Sequence, residues 1–146
     1  MEILYGAAKK EIIRQLQEHY GIKDLPYLLI QFGKEKVRAY SGEFSTEEIK
    51  FMEKNIRIES MGLYILNTKE GLRLTFDGVS LLKNQITKNI IELDDLQARQ
   101  WLKGEDLLIN FGKGFVVLKN QGELIGCGKS TGEKITNFVP KERRIR

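Results

Sequence analysis

The basic side chains near the end of the chain are the residues whose chemistry the sequence indicates most clearly. Residues 129–146 hold six Lys or Arg and two acidic residues, a charge of +4, which equals the formal net charge of the whole chain. Clustered Lys and Arg neutralise phosphates and release condensed counterions. The cluster therefore indicates contact with a polyanion, and the alternative is a solvated, partly frayed terminus. Interleaved Ile135, Phe138 and Val139 favour an ordered segment, because disordered basic arms lack such residues.

Further lysines in the second half of the chain extend this basic cluster to seven cations that a small fold could bring to one face. They are Lys113, Lys119, Lys129, Lys134, Lys141, Arg143 and Arg144. Asn137 is an eighth candidate, because its amide either reads a base or sugar edge or fixes the backbone of the adjacent turn. Phe111, Phe115 and Phe138 either stack on unpaired bases or form the core of a short barrel.

The sequence does not match the motifs for catalysis or metal binding, either in residue spacing or in the residue types present. Residues 128–130 (GKS) resemble the end of a phosphate-binding loop, but that loop needs a glycine where Glu123 stands. Cys127 has no base nearby in the sequence, since the single histidine is His19, and we predict it as a small packing residue. One cysteine and one histidine also argue against a metal site. We expect no cofactor, no metal and no catalytic residue.

We expect a globular, cytoplasmic protein. With 41% apolar and 9% aromatic residues, its 146 residues are enough to bury a core. No apolar run approaches the roughly 20 residues that span a bilayer. The first ten residues have no basic region followed by an apolar stretch and a cleavage site. We therefore expect no membrane partner.

The first half of the chain mixes helical and strand patterns. Apolar residues at helical spacing predict an amphipathic helix from Leu4 to Tyr20, and Gly21 ends it. The apolar run at 27–32 and the alternation at 37–40 predict a hairpin that turns at Gly33 to Glu35.

A second helix and three more strands follow in this half. Ser45 and Glu48 form a capping box that opens a short helix to about Asn55. Alternation then predicts a strand at Ile56 and Ile58, another at Leu63 and Ile65, and a third over residues 72–76. We interpret residues 1–87 as an N-terminal α/β domain.

The second half begins with a strand at 89–93, and Asp94 caps a helix that Gly104 ends. The strands predicted after it cover residues 106–110, 115–120, 123–127, 134–139 and 143–145, separated by glycine-rich turns. GCGKSTG is interpreted as one such turn. The whole chain is therefore an α+β protein in which residues 88–146 form a mixed β-barrel. The boundary comes from a change of pattern, so we expect the two parts to share an interface.

The residues from Leu93 to Arg144 also follow the order of a known kind of domain. A helix ends in WLKG, a strand carries GCGK, and Asn137, Pro140 and Lys141 stand with Arg144 in the order Asn-x-x-Pro-Lys-x-x-Arg. In these features the segment resembles a PUA-type RNA-binding domain, in particular the module of Sun/Fmu-type RNA cytosine-C5 methyltransferases. The family often has a lysine where this chain has Thr136.

The resemblance implies a PUA-like β-barrel that binds structured rRNA or tRNA. The preceding part resembles the α/β domain that precedes PUA in archaeal ribosome-biogenesis proteins. No catalytic cysteine pair or S-adenosylmethionine motif accompanies the module, so the resemblance implies a stand-alone RNA-binding protein and not an enzyme, acting in ribosome biogenesis or RNA modification. One alternative is a protein-interaction adaptor that docks a ribosome-assembly factor. Another is a specificity subunit acting in trans for an RNA methyltransferase.

Overall fold

The first half of the chain folds around a five-stranded antiparallel sheet. The computed structural model describes residues 1–55 and 61–146, and within them the strands pair in chain order, so that β1 and β5 form opposite edges. Their bounds are Glu2–Leu4 (β1), Leu28–Phe32 (β2), Lys36–Tyr40 (β3), Leu63–Asn67 (β4) and Arg73–Leu74 (β5). β2 and β3 confirm the predicted hairpin, and β4 confirms the strand at Leu63 and Ile65. The strand predicted at Ile56 and Ile58 lies outside the described residues.

Four α-helices pack on the sheets in the described part of the chain. They are Ala7–Tyr20 (α1), Thr46–Asn55 (α2), Phe76–Leu82 (α3) and Asp95–Leu102 (α4). The prediction that α1 begins at Leu4 was wrong, because Leu4 pairs with Leu29 in the sheet and Gly6, with a φ of 60°, turns the chain into the helix. Gly21 ends α1 as predicted, in the left-handed conformation with a φ of 84°.

Side-chain caps start two of these helices as the sequence predicted. At α2 the backbone N–H of Glu48 donates to Ser45 Oγ (3.1 Å), and the N–H of Ser45 donates to Glu48 Oε1 (3.2 Å). At α4 the N–H of Gln97 donates to Asp94 Oδ1 (2.8 Å), and the N–H of Asp94 donates to Gln97 Oε1 (3.0 Å). Each reciprocal pair satisfies backbone donors that the first helical turn leaves free.

The strand predicted over residues 72–76 is confirmed only at Arg73–Leu74 and was wrong after Leu74, because α3 begins at Phe76. Thr75 caps this helix by accepting from the N–H of Gly78 (3.0 Å), and its hydroxyl donates to the carbonyl of Tyr64 (2.6 Å). A Cβ on Gly78 would lie 2.2 Å from the carbonyl oxygen of Ile65. The helix therefore forms where the chain can pack against the backbone of β4.

The second half folds around a four-stranded mixed sheet. Its strands are Ile90–Glu92 (β6), Lys113–Asn120 (β7), Glu123–Thr131 (β8) and Ile135–Thr136 (β9), paired in that order. β6 runs parallel to β7, and the other pairs are antiparallel. A backbone bridge between Leu107 and Ile135 continues the sheet beyond β9.

Several strand predictions in this half were wrong. Residues 106–110 contribute only the bridge at Leu107, which is buried, whereas Leu108 is 85% exposed. The GCGKST run is not a turn but the second half of β8, and the turn follows it. Residues 141–143 form a 3₁₀ helix in place of the strand predicted at 143–145.

Two apolar cores lie on the two faces of the second sheet. Val116 and Leu118 of β7 point into one core, where Trp101 of α4 is fully buried and donates to the carbonyl of Ile125 (2.8 Å). Val117, between them, points into the other core, which is built mainly from residues of the first half. One core therefore crosses the predicted boundary at residue 87. No helix in the described ranges is long and apolar enough to cross a membrane.

Candidate nucleic-acid interface

The side chain of Asn137 joins the end of α4 to the segment after β9. Its Nδ2 donates to the carbonyls of Trp101 (2.8 Å) and Glu105 (2.9 Å), and its Oδ1 accepts from the N–H of Val139 (2.8 Å). Both amide hydrogens are used, so a single lone pair of Oδ1 stays available to a ligand. These contacts support the second of the two roles considered for Asn137, the positioning of backbone. An RNA contact by this residue stays a prediction.

Residues 141–145, called the terminal block below, are docked on two helices. Arg143 Nη2 lies 2.8 Å from Asp77 Oδ1 in the first turn of α3, and its guanidinium lies 5.7 Å from the ring centre of Phe76. Arg144 Nε donates to the carbonyl of Val139 (3.0 Å), and the N–H of Ile145 donates to the carbonyl of Leu102 (3.0 Å). The block is therefore ordered against the fold, and its exposed cations have defined positions.

A turn at residues 103–106, just after α4, lies between two groups of cations. On one side the side chain of Arg144 passes close to Gly104. A Cβ added to Gly104 would lie 2.3 Å from Arg144 Nε. On the other side Lys134 Nζ lies 3.0 Å from Asp106 Oδ2, and Asp106 Oδ1 accepts from the N–H of Asn137 (2.8 Å). Because Gly104 and Asp106 are two residues apart, Lys134 and Arg144 flank one short stretch of backbone.

Lys113 and Lys129 lie near Lys134, at the end of the sheet where β8 turns into β9. Lys113 is opposite Thr131 in the ladder, and its side chain passes beside Gly132. Lys129 is opposite Phe115, on the sheet face that packs against the first half, and it forms an ion pair with Glu70. Its ammonium therefore lies at the junction of the two halves.

Lys119 is separated from the other candidates. It lies six residues along β7 from Lys113, which places the two about 20 Å apart at the normal rise of a strand. Lys119 therefore lies apart from the other six cations along the sheet, and an RNA contact by it stays a prediction. The ladder continues past it to Asn120, at the opposite end of the sheet from the β8–β9 turn.

Three of the candidate cations are paired with carboxylates: Lys129 with Glu70, Lys134 with Asp106, and Arg143 with Asp77. The hydrogen bond from Lys129 lowers the pKa of Glu70, and the backbone N–H of Asn137, followed by Lys134, lowers the pKa of Asp106. Exposed ion pairs of this kind contribute little to stability, because water and salt screen them. A phosphate can therefore replace the carboxylate at low cost.

Two basic residues beside the interface were not predicted from the sequence. Lys103 is exposed in the turn after α4. Arg73 of β5 lies over the ring of Phe138 at 4.0 Å. No local pattern could reveal Arg73, because its position depends on how the two halves pack.

Three phenylalanines were expected either to stack on bases or to pack in a core, and the structure shows that they differ in burial. Phe115 packs against the core that the two halves share, which supports a packing role. Phe138 is half-buried under Arg73. Phe111 is 54% exposed in the irregular segment before β7.

The structure places Cys127 where a nucleophile would be ineffective. Its thiol is buried, 3.8 Å from the hydroxyl of Tyr20, and burial raises its pKa to about 11. Within residues 1–55 and 61–146 no group of three or more His, Cys, Asp and Glu side chains could hold a metal ion.

Comparison with known proteins identifies the class of the second half. Residues 88–145 match the family model described as the methyltransferase RsmF PUA domain. The match supports a PUA-like module in these residues, similar to the one that Sun/Fmu-type proteins carry.

The relatives that match are methyltransferases much longer than this chain. Ribosomal RNA small subunit methyltransferase F of Aeromonas salmonicida is 30% identical over 90 residues, which cover 60% of this chain and 19% of the relative. The enzyme of that name from Vibrio vulnificus (strain YJ016) is 34% identical over 89 residues, again 60% and 19%. That of Aeromonas hydrophila is 27% identical over 135 residues, covering 90% of this chain and 27% of the relative. The last alignment extends well into the first half.

Proposed function

We propose that this chain binds structured rRNA or tRNA through the basic surface around its PUA-like module. The match of residues 88–145 to a PUA domain carries this proposal. The relatives are named as methyltransferases of small-subunit ribosomal RNA, which favours rRNA and a role in RNA modification or ribosome biogenesis. The chain spans 19–27% of the length of these relatives, so their catalytic activity is not carried over to it. Its part in such a process is binding.

The contacts that set affinity are those of the cations around the 103–106 turn and the β8–β9 turn. The residues assigned to phosphates are Lys113, Lys129, Lys134, Lys141, Arg143 and Arg144, with Lys103 added and Lys119 as an outlying contact. Double-stranded RNA is recognised mainly through its shape and its phosphates and 2′-hydroxyls, which suits cations in fixed positions. Asn137 acts as a positioning residue that holds the turn and the terminal block together.

Charge removal at this surface tests the proposal. In the variant Lys113→Ala/Lys134→Ala/Lys141→Ala three phosphate contacts are lost, and at 0.1 M salt each is worth about five- to eightfold in affinity, so binding to an rRNA fragment falls about 100-fold or more. None of these three side chains anchors a core. The matched control is Lys10→Ala/Lys23→Ala/Lys54→Ala, which removes three exposed cations of the first half. It keeps its affinity within about threefold. Fluorescence polarisation with labelled RNA measures both.

The alternatives make different predictions in the same experiment. An adaptor that docks a ribosome-assembly factor binds RNA weakly, and equally in both triple variants. A specificity subunit acting in trans binds RNA as proposed but also co-purifies with a methyltransferase that lacks its own PUA domain. Equal loss of affinity in the two triple variants would refute the assigned surface.

A further inference from the structure

A cavity of about 370 Å³ opens at the junction of the two halves. Lys69, Glu70 and Arg73 line it from the first half, and Phe115 and Phe138 line it from the PUA-like module. A second cavity of about 500 Å³ adjoins it, since Glu70 and Phe115 also line that one, together with Lys129. Neither half alone contains this set of side chains, so the cavity exists only when the halves are packed together.

The wall of the cavity contains a stacked pair. The guanidinium of Arg73 lies 4.0 Å from the ring centre of Phe138, and both side chains are half-buried with part of their surface on the cavity. Guanidinium planes and aromatic rings are the surfaces on which proteins stack unpaired bases. The pair is therefore suited to a flat ligand.

The other groups match the remaining parts of a nucleotide. Lys69 and Lys129 line the two cavities, and lysine ammonium groups can contact phosphates. The ion pair with Glu70 holds Lys129 at this edge. Glu35 also lines the first cavity, and carboxylates accept hydrogen bonds from the amino groups of bases.

We propose that this junction cavity binds an unpaired nucleotide of the RNA, with its base stacked on the Arg73–Phe138 pair and its phosphates on Lys69 and Lys129. The proposal rests on the proposed function, because it assigns a subsite to the same ligand. The 103–106 surface contacts the paired part of the RNA, and the cavity receives a nucleotide that leaves the helix. The first half thereby contributes directly to recognition.

Two labelled RNAs test this subsite with the full chain. One is a hairpin whose stem carries three unpaired nucleotides on both its 5′ and its 3′ strand, and the other is the same hairpin with a blunt stem. Both are closed by the same compact tetraloop, whose bases stack on one another, so that only the tails offer a freely unpaired base. The wild-type chain binds the tailed hairpin about tenfold more tightly, since stacking of one base on such a surface is worth about that factor or more. Arg73→Lys keeps the charge but removes the planar surface, so the preference falls to below about threefold while affinity for the blunt hairpin is unchanged. Phe138→Leu gives the same result.

The control variant is Lys54→Ala, which removes a cation near β1, at the opposite edge of the first sheet from Arg73. It retains the tenfold preference. Equal binding of the two hairpins by the wild-type chain, or a preference that survives in Arg73→Lys, overturns the subsite while leaving the proposed function standing. If the wild-type chain binds neither hairpin, the proposed function fails and the subsite fails with it.

Discussion

At the scale of single residues, the notable feature of the interface is that three of its cations are paired with acids. Asp77, Asp106 and Glu70 each pair with one candidate cation, and each acid lies on a different element from its partner. The sequence revealed the cations as a cluster but not these pairs, because ion pairs between distant segments leave no periodic signal. Each acid fixes its partner cation in place and reduces the local positive potential. Neutralising one acid removes both effects at that pair.

Replacement of Asp77 by Asn should therefore strengthen RNA binding. The change frees Arg143 from its ion pair and adds one net positive charge beside the terminal block. We expect affinity to rise about three- to eightfold at 0.1 M salt, with a steeper salt dependence. The control is Asp24→Asn, an exposed acid of the first half, measured by the same polarisation titration. Unchanged binding of Asp77→Asn would show that Arg143 does not contact RNA.

The thiol of Cys127 should be unreactive in the folded protein. Burial raises its pKa to about 11, so at pH 8 nearly all of it is in the neutral form and shielded from reagents. An alkylating reagent at pH 8 should label the native chain only as fast as it unfolds, whereas the chain in denaturant is labelled at once. Mass spectrometry at timed intervals measures both rates. Rapid labelling of the native chain would contradict the buried position.

At the scale of elements, local signals predicted the helix α4 and the β2–β3 hairpin, because their caps and turn are determined by neighbours in sequence. The helix α3 and the length of β8 were not predictable in this way. A Cβ on Gly128 would lie 2.6 Å from both Trp101 Cη2 and Ile135 Cγ2, so this glycine allows close packing inside a strand. Without the tertiary contact, a glycine-rich run is typical of a turn.

Removal of the Asn137 amide should weaken the connection between α4 and the terminal block. Asn137→Ala deletes three hydrogen bonds and leaves the carbonyls of Trp101 and Glu105 without this donor. The free energy of unfolding should fall by about 2–3 kcal/mol. The control Asn110→Ala deletes one exposed hydrogen bond, to the N–H of Gly112, and should cost less than about 1 kcal/mol. Urea denaturation measures both. Unchanged stability with reduced RNA affinity would instead assign Asn137 to RNA recognition.

At the scale of the whole molecule, the second sheet carries one core on each face, and the first half supplies most of one of them. The sequence predicted an interface between the halves, but the apolar run FVVL did not show that its residues alternate between two cores. Residues of both halves, such as Arg73 and Phe138, meet only because of this packing. The division of the chain into two domains, residues 1–87 and residues 88–146, stays a prediction from the sequence.

The two halves should unfold in a single transition. Trp101 lies in the core of the second half, while α1, the longest helix described, lies in the first. The fluorescence of Trp101 and the far-UV circular dichroism signal should therefore change at the same denaturant concentration, because loss of either half exposes the shared core. Two separate midpoints would contradict the shared core and support independent domains.

The measurement that tests the central claim most directly is the salt dependence of binding to an rRNA fragment. If five of the assigned cations contact phosphates, the slope of log K against log salt concentration is about −4, somewhat shallower on single strands. We predict this slope for the wild-type chain, with a slope nearer −2 when Lys113, Lys134 and Lys141 are replaced by alanine. A flat salt response of the wild-type chain, or a slope that the three substitutions leave unchanged, would contradict the assignment of this surface to RNA.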